Sequence, residues 1–335
     1  MKKYKVGVMG ATGAVGRQMI DVLAERNFPI EELRCLASER SEGKKLDTPF
    51  GECVVQKTCE TAFEGLDIVL GASENSVAEA MAPYIKAAGA VFVDNSSAFR
   101  LNPEVPLVVP EINPEDALAH KGIISNPNCS TIITLVAINA INKLSEIKGI
   151  YASTYQATSG AGAAGPVEMF EQSAKVLAGE SDIEPKVFQH QIAYNVIPQI
   201  GGFGENGYSS EEMKLQNEGR KIMHLPELKV SCTCVRVPVE RSHAISACVI
   251  TEDKLDLDEV RAAIAESAGC KLYDNGDAHE YPMPIVTSGQ DIVYVGRIRR
   301  DLINDNGINL WCCGDQVRKG AATNAVQIAE LLIEK

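Results

Sequence analysis

Apolar residues in the first third of the chain fall in short runs, separated by stretches with helical spacing. Lys5–Met9 predicts a strand, and Val15–Arg26, with Met19, Ile20, Val22 and Leu23 on one side, an amphipathic helix. Leu33–Ala37, Asp67–Gly71, Val91–Asp94, Leu107–Val109 and Ile123–Ser125 predict further short strands, with a helix over Ser76–Ala88. Strand, helix, strand at this spacing means right-handed crossovers and a parallel sheet, hence a doubly wound α/β domain. After about residue 128 the pattern changes. Ser130–Leu144 is a long apolar helix. Ile147–Thr158, Lys229–Val237, His243–Ile250, Ile292–Ile298 and Ile308–Cys313 then alternate with period two, which predicts a mainly antiparallel sheet covered by helices on one face. Ala321–Ile333 is a final helix.

Composition narrows the function. A chain of 335 residues suggests two domains at roughly 150 residues each. Its 45% apolar and 23% charged residues match a folded protein, and no apolar run reaches the ~18 residues of a membrane span. The N-terminus runs straight into a strand without a signal-peptide core, so a cytoplasmic protein is expected. A formal charge of −13 argues against a broad nucleic-acid or anionic-membrane surface, while leaving room for a small basic pocket. Ten cysteines in a long chain of this kind suggest reduced, mostly buried thiols, and neither Cys-x-x-Cys nor clustered histidine suggests a metal.

Two segments carry chemistry. Gly10-Ala-Thr12-Gly13-Ala14-Val15-Gly16 follows the first strand and opens the first helix. Glycines there permit a tight turn and close approach of a pyrophosphate, which the helix N-terminus attracts. At the end of the second strand, Ser38, Arg40 and Ser41 suit the 2′-phosphate of NADP, although Glu39 suits the ribose hydroxyl of NAD. The second segment is Asn126-Pro-Asn-Cys129-Ser-Thr131, which places one thiol at the start of the long helix. The helix dipole there favours a thiolate, although a small residue at a strand–helix junction is the plainer alternative. A nucleophilic cysteine beside a nicotinamide implies aldehyde oxidation through a hemithioacetal and a thioester, which phosphate releases as an acyl phosphate.

Gly10–Gly16, Ser125-Asn-Pro-Asn-Cys129-Ser-Thr-Ile132 and the Arg236…His243 pair together resemble the aspartate-β-semialdehyde dehydrogenase family over essentially the whole chain. The resemblance implies NADPH-dependent reduction of L-aspartyl-4-phosphate to the semialdehyde, a step toward lysine, threonine, methionine and diaminopimelate. It implies a cytoplasmic homodimer with a glyceraldehyde-3-phosphate-dehydrogenase-like architecture. The dinucleotide domain would be 1–128 rejoined by 320–335, and the catalytic and dimerisation domain 129–319. Cys129 then matches the nucleophile and His243 the acid/base. Arg236 matches the substrate-carboxylate arginine, with a hairpin across Pro238–Ser242 bringing it to the mouth shared with His243, and Arg241 left in solvent. Gln156 matches a residue that orients substrate, and Arg100 one that holds phosphate. Ser209 to Glu212 forms a capping box that starts a helix, on which Glu211 and Lys214 share a face. Blandly these two are a surface ion pair; by resemblance they bind substrate amine and phosphate. Ser159, Gly160, Gln316 and Asn324 fall to the cofactor.

The nearest rival is N-acetyl-γ-glutamyl-phosphate reductase, whose cysteine follows Pro-Gly rather than Pro-Asn. A non-catalytic nucleotide-binding relative is a rival of another class, and retention of Cys129, His243, Arg236 and Arg100 together speaks against it.

Overall fold

The computed structural model describes residues 2–333; residues 1 and 334–335, which the expected first domain includes, lie outside it. The chain divides into two compact units, Met1–Asn128 with Ala321–Lys335, and Cys129–Gly320.

In the first unit the order is β1 (Tyr4–Met9), α1 (Ala14–Glu25), β2 (Ile30–Ala37), β3 (Lys45–Thr48), β4 (Gly51–Val54), β5 (Gln56–Lys57), β6 (Ile68–Gly71), α2 (Asn75–Ala87), β7 (Val91–Asp94) and β8 (Ile123–Ser125). The main sheet has the order β5-β2-β1-β6-β7-β8, and every pairing in it is parallel. Its inner strands are apolar on both faces because helices cover both: Val6, Val8, Val69, Leu70, Phe92 and Val93 are all fully buried. Leu107–Val109 is not a strand. Pro106 and Pro110 bracket it, and only an isolated bridge from Leu107 to Ser125 forms.

The second unit contains α3 (Cys129–Leu144), β9 (Ile147–Gln156), α4 (Ala164–Leu177), α5 (Ser210–Ile222), β10 (Lys229–Arg236), β11 (His243–Thr251), α6 (Leu257–Glu266), β12 (Cys270–Leu272), the short α7 (Pro284–Thr287), β13 (Val293–Arg300) and β14 (Gly307–Gly314). Its sheet runs β10-β9-β11-β14-β13-β12. The three pairings among β9, β11, β14 and β13 are antiparallel, while β10 joins β9 and β12 joins β13 in parallel. The expected hairpin across Pro238–Ser242 is therefore absent. β9 lies between β10 and β11, and the connection passes over its end. Helix α3 is apolar all round and almost wholly buried, as a helix packed between a sheet and α5 and α6 must be. The opposite side of the sheet is open, with Tyr151 exposed and the Tyr155 and Trp311 rings 5.3 Å apart.

The chain ends with α8 (Thr323–Leu331), entered through a π turn at Arg318–Ala322. Ala325, Val326 and Ile328 of α8 join Val6, Val8 and Met19 in the core of the first unit. Among the described residues no helix is long and apolar enough to cross a membrane.

Candidate active site

The second unit concentrates its reactive side chains where β9 and β10 end and β11 begins, beside the first turn of α3. Cys129 is the first residue of that helix, and its Sγ lies 3.4 Å from Nε2 of His243, the first residue of β11. Sheet register explains why the other partners meet there. Gln156 ends β9 directly opposite Arg236, which ends β10, and Ala244 pairs with Tyr155. Three strand ends thus present Arg236, Gln156 and His243 side by side, although Gln156 lies far from the other two in sequence.

Each side chain is held by several partners. The backbone N–H of Ala157 donates to Nδ1 of His243 at 3.1 Å. The Arg236 guanidinium donates to the Ala157 carbonyl at 2.6 Å and lies over the Phe188 ring. Gln156 accepts at Oε1 from the Thr154 hydroxyl, 2.9 Å away, and donates through Nε2 to Glu211 Oε1 at 3.1 Å. Glu211 Oε2 in turn accepts from Lys214 at 2.8 Å. The expected capping box is present at the start of α5, and Glu212 also accepts from the Cys234 N–H at 3.0 Å. That bond ties the helix start to β10 and so fixes Glu211 over Gln156. Glu211 is buried, so the Glu211–Lys214 pair is more than a solvated surface bridge.

Burial dominates the electrostatics. His243 is fully enclosed, and desolvation followed by the neighbouring Arg236 charge pulls its pKa down to about 3, against an opposing pull from Glu211. Desolvation also lowers the Arg236 pKa, offset by the negative groups around it. A buried guanidinium and a buried carboxylate on one wall suit a ligand that carries both a carboxylate and an ammonium group.

The sequence missed two features here, and the surroundings of a third residue, Gly160, which it assigned to the cofactor. Arg241 is not a solvated side chain: its Nε donates to the fully buried Asp315 at 2.6 Å. Asp315 also accepts from the N–H groups of Gly289, Val317 and Arg318, so it organises the loop into the π turn. That turn delivers Gly320 against the nucleophile. A Cβ there would stand 2.9 Å from Cβ of Cys129 and 3.3 Å from its Cα, so only glycine fits. Gly320→Ala should lower kcat about 10- to 100-fold by displacing the thiol, with little change in circular dichroism; an unchanged kcat would show that Cys129 tolerates the shift. Third, Gly160 lies over the cluster itself, where a Cβ would come 2.6 Å from Arg236 Nη1 and 3.1 Å from His243 Cε1. Ser159 beside it donates to the Glu240 carbonyl at 2.5 Å and meets the Gln316 amide, and Gln316 accepts from the Ser242 N–H at 2.8 Å. Ser159 and Gln316 therefore brace the turn before His243.

The remaining candidates belong to the first unit. Arg100 is buried and donates to the carbonyls of Asn126 and Asn95 at 2.9 and 2.8 Å, on a loop that Asp94 holds through Ser96. Burial pushes the Asp94 carboxyl up despite those bonds. Asn324 donates to the Val108 carbonyl and to Asn126 Oδ1, which braces the segment leading to Cys129. The Gly10–Gly16 turn has the shape a pyrophosphate requires. Gly10 has φ +85, a Cβ on it would lie 2.4 Å from the Ala72 carbonyl oxygen, and one on Gly16 would lie 2.2 Å from that of Gly10. Gly13 caps α1 without a side chain, and Gly13 and Ala14 are exposed, with Thr12 and Val15 half-buried. A backbone cradle at a bare helix N-terminus fits a dinucleotide phosphate. After β2, Ser38 and Arg40 are exposed and Ser41 is buried, while Glu39 pairs with Lys57 at 3.1 Å.

Two family models match the chain: "Semialdehyde dehydrogenase, NAD binding domain" over residues 5–120, and "Semialdehyde dehydrogenase, dimerisation domain" over residues 138–319. An aspartate-semialdehyde dehydrogenase of Aquifex aeolicus is 47% identical over 335 residues, covering 99% of this chain and 98% of that protein. The crystal structure of aspartate semialdehyde dehydrogenase II from Vibrio cholerae, complexed with ASA, superposes with a TM-score of 0.95 at 43% identity, covering 99% of this chain and 98% of that one. A Candida albicans aspartate semialdehyde dehydrogenase solved with NADP gives a TM-score of 0.74 at 26% identity, again covering 99% and 98%.

Proposed function

This chain belongs to the aspartate-semialdehyde dehydrogenase family, and on that premise we propose how its site works: NADPH-dependent reduction of L-aspartyl-4-phosphate to L-aspartate-4-semialdehyde and phosphate, through a thioester on Cys129. The observation that carries the reading is the Cys129–His243 contact, set against a wall bearing both Arg236 and Glu211. Arg236 grips the substrate's α-carboxylate with its planar fork, and Glu211 receives the α-ammonium. Lys214, on the face shared with Glu211, and Arg100 attract the phosphate, while Gln156 orients the acyl group. An N-acetylated substrate has no ammonium for Glu211, which disfavours N-acetyl-γ-glutamyl-phosphate reductase.

Sγ attacks the acyl carbon, and phosphate leaves with its bonding electrons. When bound, the reduced nicotinamide supplies the hydride that converts the thioester to the aldehyde. The Gly10–Gly16 backbone, with Thr12, Ala14 and Val15, holds the pyrophosphate, and Ser38, Arg40 and Ser41 hold the 2′-phosphate of NADP. Ser159, Gly160 and Gln316 shape the end where the nicotinamide is received. Glu39 pairs with Lys57, which weighs against the NAD-type role for it, and the Candida albicans relative solved with NADP supports the same choice. Residues 1–128 with 320–335 form the cofactor domain and 129–319 the catalytic and dimerisation domain, in a homodimer working in the cytoplasm. The open sheet face bearing Tyr151 and Tyr155 offers apolar surface for that association.

The test is a spectrophotometric assay of NADP reduction with aspartate semialdehyde, run with and without phosphate. Turnover that requires phosphate supports the reading; turnover only with N-acetylglutamate semialdehyde would transfer the chain to the rival reaction. In the same assay Arg40→Ala should raise the KM for NADP about 10- to 100-fold, the loss of one or two charge-assisted hydrogen bonds, and leave the weaker NAD reaction untouched. An unchanged KM would remove Arg40 from the cofactor site.

A further inference from the structure

We propose, resting on the assignment of Arg236 to the substrate carboxylate, that Glu168 and Phe188 are positioning residues for that arginine. Glu168, on α4, fastens the irregular segment 186–197, and that segment holds the Phe188 ring against the Arg236 guanidinium. Residues 186–197 form no helix or strand beyond an isolated bridge at Ile197. An irregular segment that enters the interior must still find partners for its backbone N–H groups. Two side chains of α4 supply them. Glu168 accepts at Oε2 from the N–H groups of Lys186 and Val187, at 2.9 and 2.5 Å, and at Oε1 from that of Phe188 at 3.4 Å. Gln172 accepts at Oε1 from the N–H groups of Ile192 and Ala193, at 2.8 and 3.2 Å, and its amide donates to Glu168 at 3.0 Å. Both side chains are buried, and a carboxylate acceptor makes the stronger bonds.

The fastened segment reaches Arg236 twice. Ile197 and Arg236 exchange both backbone hydrogen bonds, at 2.9 and 2.8 Å, on the edge of β10 away from β9. The guanidinium carbon of Arg236 lies 5.9 Å from the centroid of the Phe188 ring, within cation–π range. The ring is itself fixed. It packs with Met169, Ile192 and Ile197 in a small apolar cluster, and its Cζ would stand 3.3 Å from a Cβ on Gly165 at the start of α4. Arg236 Nη1 meets the Ala157 carbonyl at 2.6 Å, and Gly160 leaves that nitrogen no room to move toward it. These contacts set the plane of the fork, and that plane decides whether a carboxylate is gripped by two bonds or one.

The chemistry of the support matters as much as its position. A carboxylate against Arg236 would occupy its N–H donors and compete with the substrate for its charge. An aromatic face attracts the guanidinium while consuming none of its donors, so the charge stays available to the ligand. The carboxylate of Glu168 is kept one step back, on backbone N–H groups, where it orders the segment without touching the arginine. Without the ring, Arg236 would keep its charge and lose its fixed plane, and substrate binding would then have to order it. That cost falls on ground state and transition state alike, so it appears in KM rather than in kcat.

The test measures kcat and the KM values for aspartate semialdehyde and NADP in the phosphate-dependent assay of the full-length enzyme. Phe188→Leu, which stays apolar and loses the ring, should raise the KM for semialdehyde about 3- to 30-fold, with kcat and the KM for NADP changed by no more than about twofold. Phe188→Tyr, which keeps the ring, should return that KM toward the wild-type value. Glu168→Gln puts an N–H donor where an oxygen now accepts, and should raise the same KM. Adding it to Phe188→Leu should raise KM no further, because both act through one contact. If Glu168→Gln does not fold, Gln172→Met loosens the same segment and takes its place. Multiplying effects in the double variant would overturn the path from α4 to Phe188. A wild-type KM in Phe188→Leu, a tyrosine variant as impaired as leucine, or a fall in kcat matching the rise in KM would overturn the positioning role. An unchanged KM in Arg236→Leu would overturn the carboxylate assignment itself, whereas a raised KM there beside an unchanged one in Phe188→Leu would overturn this inference alone.

Discussion

Cys129→Ala should abolish phosphate-dependent NADP reduction, with a fall in kcat of about 10⁴-fold or more, because no other group on that wall can form the thioester. The loss should appear without a comparable change in melting temperature or in the KM for cofactor, since Cys129 lies at the start of a helix whose burial is supplied by the residues that follow it. Cys129→Ser is the sharper variant. It keeps the size and the contact with His243, yet an alcohol ionises far less readily than a thiol, so its loss should approach that of alanine. Five of the other cysteines are held as neutral thiols. Burial pushes Cys248 up to about 11 and Cys313 up to about 12 and also raises Cys35 and Cys312, while Cys234 is raised by its hydrogen bond with Cys232 and then by burial. Residual activity within tenfold of the wild type, measured as initial rate at saturating phosphate, would rule out covalent catalysis at Cys129.

Arg236→Leu is expected to have the second largest effect. The guanidinium is buried, its Nη1 is anchored on the Ala157 carbonyl, and the proposed substrate carboxylate completes its fork. Leaving that carboxylate unpaired in a desolvated site costs roughly 2–5 kcal/mol, or about 30- to 4,000-fold in kcat/KM. Most of the loss should fall on the KM for semialdehyde, because the carboxylate is bound in ground state and transition state alike. Lysine should rescue only partly, as a point charge cannot reproduce the fork. A variant with wild-type KM would place the carboxylate elsewhere.

Much of this organisation is visible in the chain itself. The parallel sheet of the first unit was readable because each inner strand is a short apolar run, and the glycine turn because its position after β1 gives the spacing meaning. Cys129 stood out through its helix start, and β9 through strict alternation that buries Ile150, Ala152, Thr154 and Gln156 on one side. Other elements carry weaker signals. The β3–β4 hairpin is largely polar and exposed, so no period marks it. Helix α4 buries Glu168 and Gln172 on its inner face, which hides its amphipathic stripe. Helix α6 did carry a signal, an Asp256 cap followed by apolar residues at 257, 260 and 264.

In the site, side chains were more legible than their supports. The Arg236–His243 proximity was anticipated through a hairpin, whereas β9 inserts between their strands and brings Gln156 with it. Gly320 and the Arg241–Asp315 pair were not legible, because their importance lies in a turn that returns to Cys129 from far along the chain. The Ala157 N–H has no sequence signature at all. Thr154 could have been found: it lies two residues before Gln156 on a strand, hence on the same face.

The most direct test of the central claim is to trap the acyl-enzyme. Enzyme mixed with NADP and aspartate semialdehyde without phosphate, quenched in acid and digested, should yield one aspartyl-modified peptide containing Cys129, and phosphate added before the quench should remove it. A peptide that stays unmodified while NADPH is produced, or a modification mapped to another cysteine, would contradict the assignment of Cys129 as the nucleophile.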